Sequence, residues 1–114
     1  MEFMDEFKDL CERLRGKLSK DELGLPVCYL EDEAVLIGYP DFNAISLEKK
    51  GETVLDIAGF DRTVLTSKYI PAQRFREKGL GRYFACFKTK VAGICINERG
   101  DIVKVLIPEK PEYL

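Results

Sequence analysis

The chain has 114 residues, of which 46% are hydrophobic and 33% are charged, and its formal net charge is −2. This length suits one domain with one hydrophobic core, and the composition is that of a globular protein rather than a disordered one. Apolar runs such as AVLIGY are too short to span a bilayer, so we expect no membrane partner. We predict a single globular domain over residues 1–114, in which residues 108–114 form an extended or mobile tail.

Four cysteines and no histidine limit the chemistry available to the chain. Without an imidazole there is no Ser-His-Asp or Cys-His nucleophile and no zinc site of the Cys2His2 type. No closely spaced pair, of the type that structural zinc sites use, occurs among Cys11, Cys28, Cys86 and Cys95. The acidic N-terminus also lacks the basic start and apolar stretch of a signal peptide. We therefore predict a cytoplasmic protein with four reduced thiols and no metal or other cofactor.

The first segment has the pattern of an amphipathic helix. Apolar residues recur at spacings of three and four along one stripe, which consists of Phe3, Phe7, Leu10, Leu14 and Leu18. This periodicity predicts a helix of about four turns. Ser19 and Glu22 then have the spacing of a capping box, which predicts one further short helical turn.

From residue 27 onward the pattern changes to short β-rich runs separated by turn residues such as PDFN and NERG. We predict strands over residues 27–30, 33–39, 44–48, 53–60, 63–69, 81–90, 91–97 and 101–107. The stretch PAQRFREK begins with a proline suited to a first helical position, so we predict a short helix near 71–78. The predicted fold class is α+β, with an N-terminal amphipathic helix packed on a mostly antiparallel sheet, or half-open barrel, of seven to eight short strands.

Positive charge is concentrated in one segment of the chain. Residues 62–90 carry eight Lys or Arg and one Glu, whereas residues 1–61 carry seven basic and fifteen acidic residues. In the predicted strand 81–90, alternation places Ala85 and Phe87 on a core face and Phe84 on the opposite face. A basic face with an aromatic residue can pair with phosphates and stack a base. The candidate polyanion-binding residues are Arg74, Arg76, Lys78, Arg82, Phe84, Lys88 and Lys90.

These features predict a small non-enzymatic binding protein whose basic surface, residues 74–90, engages nucleic acid or another polyanion. The same cations could instead solvate an edge strand and protect it against aggregation. A homodimeric regulatory or adaptor module, whose basic patch contacts an acidic protein surface, is the alternative from a different class.

A metal-dependent nuclease is a remote alternative. Asp41, Glu48 and Lys50 have the residue types of such a site, in which two carboxylates converge on one Mg²⁺ ion. In the predicted structure, however, Asp41 lies in a turn and Glu48 lies at the far end of the strand that follows. At about 3.3 Å per residue the two are roughly 23 Å apart, so we predict no catalytic residue.

Overall fold

The computed structural model describes the backbone of residues 3–58, 69–74, 82–88 and 93–108, and within these ranges one α-helix precedes nine strands. Helix α1 spans Phe3–Arg13. Sheet A consists of β1 (Lys17–Lys20), β2 (Pro26–Tyr29), β3 (Ala34–Tyr39), β4 (Ala44–Lys49) and β5 (Glu52–Ala58). Sheet B consists of β6 (Tyr69–Arg74), β7 (Phe84–Lys88), β8 (Gly93–Asn97) and β9 (Ile102–Pro108). A short 3₁₀ turn, Pro40–Phe42, connects β3 to β4.

Both sheets are antiparallel and are built largely from consecutive hairpins. Sheet A has the order β1-β2-β3-β4-β5, and sheet B has the order β6-β9-β8-β7. The predicted α+β class, with a helix packed on an antiparallel sheet, is therefore confirmed. The finer prediction of seven to eight strands in one sheet or half-open barrel is not confirmed, because the described residues form nine strands in two sheets.

One hydrophobic core joins the helix to both sheets. Helix α1 contributes Phe7, Leu10, Cys11 and Leu14, all at most 2% exposed. Sheet A adds the inward-facing residues of β2, β3 and β4, and sheet B adds those of β7 and β8. The members of these two sheets are Cys28, Ala34, Leu36, Ile45, Leu47, Ala85, Phe87 and Ile96. Burial of this apolar surface holds the three layers together.

The chain leaves the helix earlier than the apolar stripe predicts. The amide of Arg15 donates to the carbonyl of Glu12, and the amide of Gly16 donates to the carbonyl of Cys11. These two bonds form the C-terminal cap known as a Schellman motif, in which Arg15 adopts a φ of 58°. A β-carbon on Gly16 would collide with the sulfur of Cys28, so only glycine allows this reversal. Leu18 consequently lies in β1 and is 41% exposed.

The predicted capping box at Ser19 and Glu22 is also wrong. Ser19 lies in β1 and pairs with Val27 of β2. The turn is made instead by Asp21, whose side-chain oxygen accepts the amides of Leu23 and Leu25 at 2.9 Å each. An Asp that binds nearby backbone amides favours a turn over a helix, and this local competition decides the structure here.

The short helix predicted near 71–78 is contradicted over residues 71–74. Those residues belong to β6, which pairs with β9 from Tyr69↔Pro108 to Arg74↔Lys104. Pro71 cannot donate to a strand ladder, but it lies beside a register shift on an edge strand, where proline is tolerated. Pairing with the distant strand β9 therefore overrides the local preference of proline for a helix start. Residues 75–78 lie outside the described part of the chain.

Seven of the predicted strands are present as β2 to β5 and β7 to β9, with ends shifted by a few residues. The turn residues between these strands predicted where each strand ends. The α-carbon register confirms the hairpins that those turns predicted. The predicted strand 63–69 lies outside the described residues except for Tyr69, which begins β6.

The prediction of four reduced thiols is contradicted by the structure. Cys11 of α1 bonds to Cys28 of β2, with their α-carbons 5.7 Å apart, and Cys86 bonds to Cys95. Cys86 and Cys95 are directly opposite each other in the β7–β8 pair. The sequence spacing does not reveal either pair, because Cys11–Cys28 depends on how α1 packs on β2 and Cys86–Cys95 depends on the register of β7 and β8.

Mass measurement will test the disulfides. We expect the intact protein, denatured without reductant, to lack two hydrogens for each of the two bonds and to resist thiol alkylation. Reduction of Cys11–Cys28 should lower the free energy of unfolding by about 3 kcal/mol, because that bond closes a loop of 17 residues. Full alkylation without reductant would contradict the assignment.

Candidate functional site

A recess of about 250 Å³ lies where the end of α1, the start of β7 and the β2–β3 and β8–β9 turns meet. We call it the Tyr83 recess. Its lining residues are Leu14, Arg15, Glu31, Arg82, Tyr83, Glu98 and Arg99. They come from four separate parts of the sequence, so the recess exists only in the folded chain.

Two arginines lie against the ring of Tyr83. The guanidinium carbon of Arg15 is 4.8 Å from the ring centroid, and that of Arg82 is 5.9 Å from it. Both distances fall within the range of cation–π attraction. Stacking on an aromatic ring restricts a guanidinium group while leaving its N–H donors available to a ligand.

A buried carboxylate positions this part of the recess. Glu98 is 6% exposed, and its carboxylate accepts the backbone amide of Arg82 at 2.9 Å and that of Tyr83 at 2.7 Å. The amide of Glu98 in turn donates to the carbonyl of Tyr83 at 3.1 Å. These bonds fix the backbone of Arg82 and Tyr83, and they satisfy a charge that would be costly to bury alone.

Positive charge exceeds negative charge in the recess, since three arginines face Glu31 and Glu98. The Arg99 guanidinium is 3.4 Å from a carboxylate oxygen of Asp101 and 4.0 Å from one of Glu98. Within the described residues, Arg15 and Arg82 form no ion pair, and both side chains are exposed. The recess therefore suits an anionic ligand.

The face of sheet B opposite to Ala85 and Phe87 begins at Phe84, the residue that follows Tyr83 in the chain. Ala85 and Phe87 are buried, whereas Phe84 is 52% exposed, so the predicted alternation is confirmed. Lys104 is exposed and pairs with Cys95 in the register of β8 and β9. We define the outer face of sheet B by Phe84, Cys86, Cys95 and Lys104, which share this side by strand alternation and register. Phe84 and Lys104 are exposed, whereas Cys95 is only 3% exposed.

The predicted site residues divide into three groups. Arg82 and Phe84 lie close together, at the recess and at the start of β7. Arg74 and Lys88 lie in β6 and β7, the two edge strands of sheet B, and Arg74 is the register partner of Lys104. Arg76, Lys78 and Lys90 lie outside the described residues.

Three basic residues near the predicted surface have no signal in the sequence. Arg15 lies in a strongly acidic segment, and Arg99 and Lys104 lie in a segment that is nearly neutral. Charge counted along the sequence therefore gave no signal for them. Their positions depend on the helix cap, on the β8–β9 turn and on the β6–β9 pairing.

A second charged cluster joins the two sheets. Lys49, at the end of β4, lies 2.9 Å from a carboxylate oxygen of Asp32 and 2.7 Å from one of Asp101. Its hydrogen bond to Asp101 raises the pKa of Lys49 more than burial lowers it. The same lysine lowers the pKa of Asp32. Burial raises the pKa of Asp101, but Lys49, Asn97 and Arg99 together outweigh burial and lower it. Since its charges are mutually satisfied, we assign this cluster a structural role.

The geometry gives no support to a nuclease site at Asp41, Glu48 and Lys50. Asp41 lies in the 3₁₀ turn before β4, and Glu48 lies near the other end of that strand, as the distance argument required. Lys50 lies in the β4–β5 turn, 4.0 Å from Asp32. Among the residues that the structure describes, no group of three or more His, Cys, Asp or Glu is arranged to hold a metal ion.

No protein-family model, curated protein or solved structure matches this chain. Across the described ranges, none of the helical structure is long and apolar enough to cross a membrane.

The Lys49 cluster predicts a specific pH dependence of stability. Folding lowers the pKa values of Asp32 and Asp101. Their contribution to the free energy of unfolding is therefore present above the ordinary carboxyl pKa of about 3.9 and is lost as the pH falls below it. Folding raises the pKa of Lys49, so the contribution of this lysine to stability is present at every pH up to about 10.4. We expect Lys49→Met to lower the free energy of unfolding at neutral pH. The difference in stability between this variant and the parent should shrink as the pH falls below about 4.

Urea denaturation at several pH values will measure this effect. Lys50→Met is the matched control, because Lys50 is the neighbouring lysine but is largely exposed and only 4.0 Å from Asp32. It should change stability by no more than about 0.5 kcal/mol. Equal effects of the two substitutions at every pH would contradict a specific role for Lys49.

Proposed function

We propose that this protein is a non-enzymatic binding protein that engages nucleic acid, or another polyanion, through the outer face of sheet B. The proposal is supported chiefly by the exposed ring of Phe84, which lies two residues beyond the exposed cation Arg82. An aromatic ring offers a stacking surface to any base, and neighbouring cations pair with the phosphates on either side of it.

The register of sheet B extends this surface across the sheet. Lys104 lies on the central strand β9, opposite Arg74 of the edge strand β6, while Lys88 lies on the edge strand β7. Cations on three strands would form a surface wide enough to follow a nucleic-acid backbone. Only Lys104 among these three has a described side chain, so its contribution is the first to test.

The proposed location needs revision because of the disulfides. A cytoplasmic location remains a prediction, but its premise of reduced thiols no longer holds. Disulfides persist in oxidising compartments and also in the cytosol of hyperthermophiles. A cytoplasmic location therefore requires a cytosol of the second kind.

Salt dependence will test the binding of polyanions. If Arg74, Arg82, Lys88 and Lys104 neutralise about four phosphates, the log–log slope of affinity against salt should be roughly −2.8 on single strands and −3.6 on duplex. Arg82→Glu and Lys104→Glu should each weaken binding to all sequences and flatten the slope. Lys20→Glu is the matched control, because Lys20 is an exposed lysine on β1 of sheet A.

The two classes of function differ in this assay. Absence of salt-sensitive binding at low ionic strength would contradict the proposal and favour a homodimeric adaptor. Leu23 and Phe42 are the observation that favours this second function, since they are 85% and 77% exposed in turns at the same end of sheet A. A dimeric mass that Leu23→Ser or Phe42→Ser reduces to the monomer would support it.

Phe84→Ala separates stacking from packing. Because the side chain is 52% exposed, we expect the melting temperature to change little. Affinity for single strands should fall by about 1 to 3 kcal/mol, with no change in salt slope, because an uncharged contact is removed. Phe87→Leu, on the buried face of the same strand, should give the converse result of lower stability and nearly unchanged affinity. Loss of stability without loss of affinity in Phe84→Ala would contradict a stacking role.

A further inference from the structure

We infer that the Tyr83 recess is a binding site for a terminal phosphate monoester of a nucleic-acid strand. The inference rests on the proposed function and gives it a polarity, because it assigns one end of the strand to one place on the protein. Three arginines line the recess, and its residue Tyr83 immediately precedes the exposed Phe84 that would stack a base.

A terminal monoester suits the arginine donors of the recess better than an internal phosphate does. It presents three acceptor oxygens, whereas an internal phosphodiester has one more of its oxygens bonded to the chain. Arg15 and Arg82 both hold their guanidinium groups on the Tyr83 ring, and Arg99 lines the same recess. Arginine forks are the donors best suited to phosphate oxygens.

The wall of the recess determines which groups can donate to the ligand. The inner wall is formed by the buried carboxylate of Glu98 and the backbone amides that it binds, together with the buried Leu14. Because these amides are already used by Glu98, the arginine side chains must supply the donors to the ligand.

The cap of helix α1 provides an unusually clean test variant. Arg15 has a φ of 58°, a left-handed conformation that glycine adopts without strain. Arg15→Gly therefore removes one guanidinium group from the recess without straining the backbone of the helix cap. Lys50→Gly is the matched control. It also removes a cation from a residue with a left-handed backbone, because Lys50 has a φ of 54°, but it does so in the β4–β5 turn, away from the recess.

The experiment compares single-stranded hexathymidylate with a 5′-phosphate, a 3′-phosphate or hydroxyl groups at both ends, at low salt and pH 7.5. We expect one terminal phosphate to strengthen binding roughly tenfold, the effect of about one charge-assisted interaction. Arg15→Gly should abolish this advantage and leave the melting temperature nearly unchanged. Lys50→Gly should retain the advantage. Between pH 7.5 and 5 the advantage should shrink, because the monoester gains a proton near pH 6.

The outcomes separate this inference from the proposed function. Equal affinity for the three oligonucleotides, with binding still sensitive to Lys104→Glu, would overturn the phosphate site and leave polyanion binding intact. If no oligonucleotide binds, titration with inorganic phosphate tests whether the recess binds phosphate without a nucleic-acid strand. Binding of phosphate that Arg15→Gly weakens and Lys50→Gly does not would support the recess as a site for a small phosphate monoester. Equal or absent phosphate binding in the parent and both variants would overturn the site.

Discussion

The buried carboxylate of Glu98 is the interaction on which the candidate site depends. It binds the amides of Arg82 and Tyr83, while the backbone carbonyl of Glu98 accepts the amide of Glu31 from the β2–β3 turn. A carboxylate at 6% exposure is tolerated only with such partners, and breaking a set of this kind is costly. The same residue thus fixes the start of β7, joins it to sheet A and forms one wall of the recess.

The turn that contains Glu98 is fixed by its own side chains. Asn97 is fully buried, and its side-chain oxygen accepts the amides of Arg99 and Asp101 at 2.9 and 3.0 Å. Gly100 then lies so close to Ala34 that a β-carbon would be 2.6 Å from the methyl group of that residue. Asp101 completes the contact through Lys49. This turn therefore adds a polar contact between the two sheets to the core that they share, and the position of Arg99 follows from it.

The sequence predicted the parts of the structure that depend on local pattern, and it missed those that depend on distant pairing. Alternation correctly separated Phe84 from Ala85 and Phe87, and turn residues located seven strands. Leu18 was assigned to the helix because the apolar stripe continues to it, but the packing of Gly16 on a disulfide ends the helix first. Pro71 was assigned to a helix because its partner strand lies far along the chain. Arg15, Arg82 and Arg99 could not be grouped from the sequence, because a cap, a strand start and a turn bring them together.

The hydrogen bond between Glu31 and Glu98 also has a consequence for how the chain folds. Sheet A is a meander whose neighbouring strands are joined by short turns, so its contacts are local and their loop-closure entropy is small. The contact between Glu31 and Glu98 instead closes a loop of more than half the chain. We therefore expect sheet A to form early and the junction late in folding. Until sheet B docks, Ala34 and Leu47, which lie against Gly100 of the β8–β9 turn, lack that cover, so the partly folded chain is the species most prone to self-association.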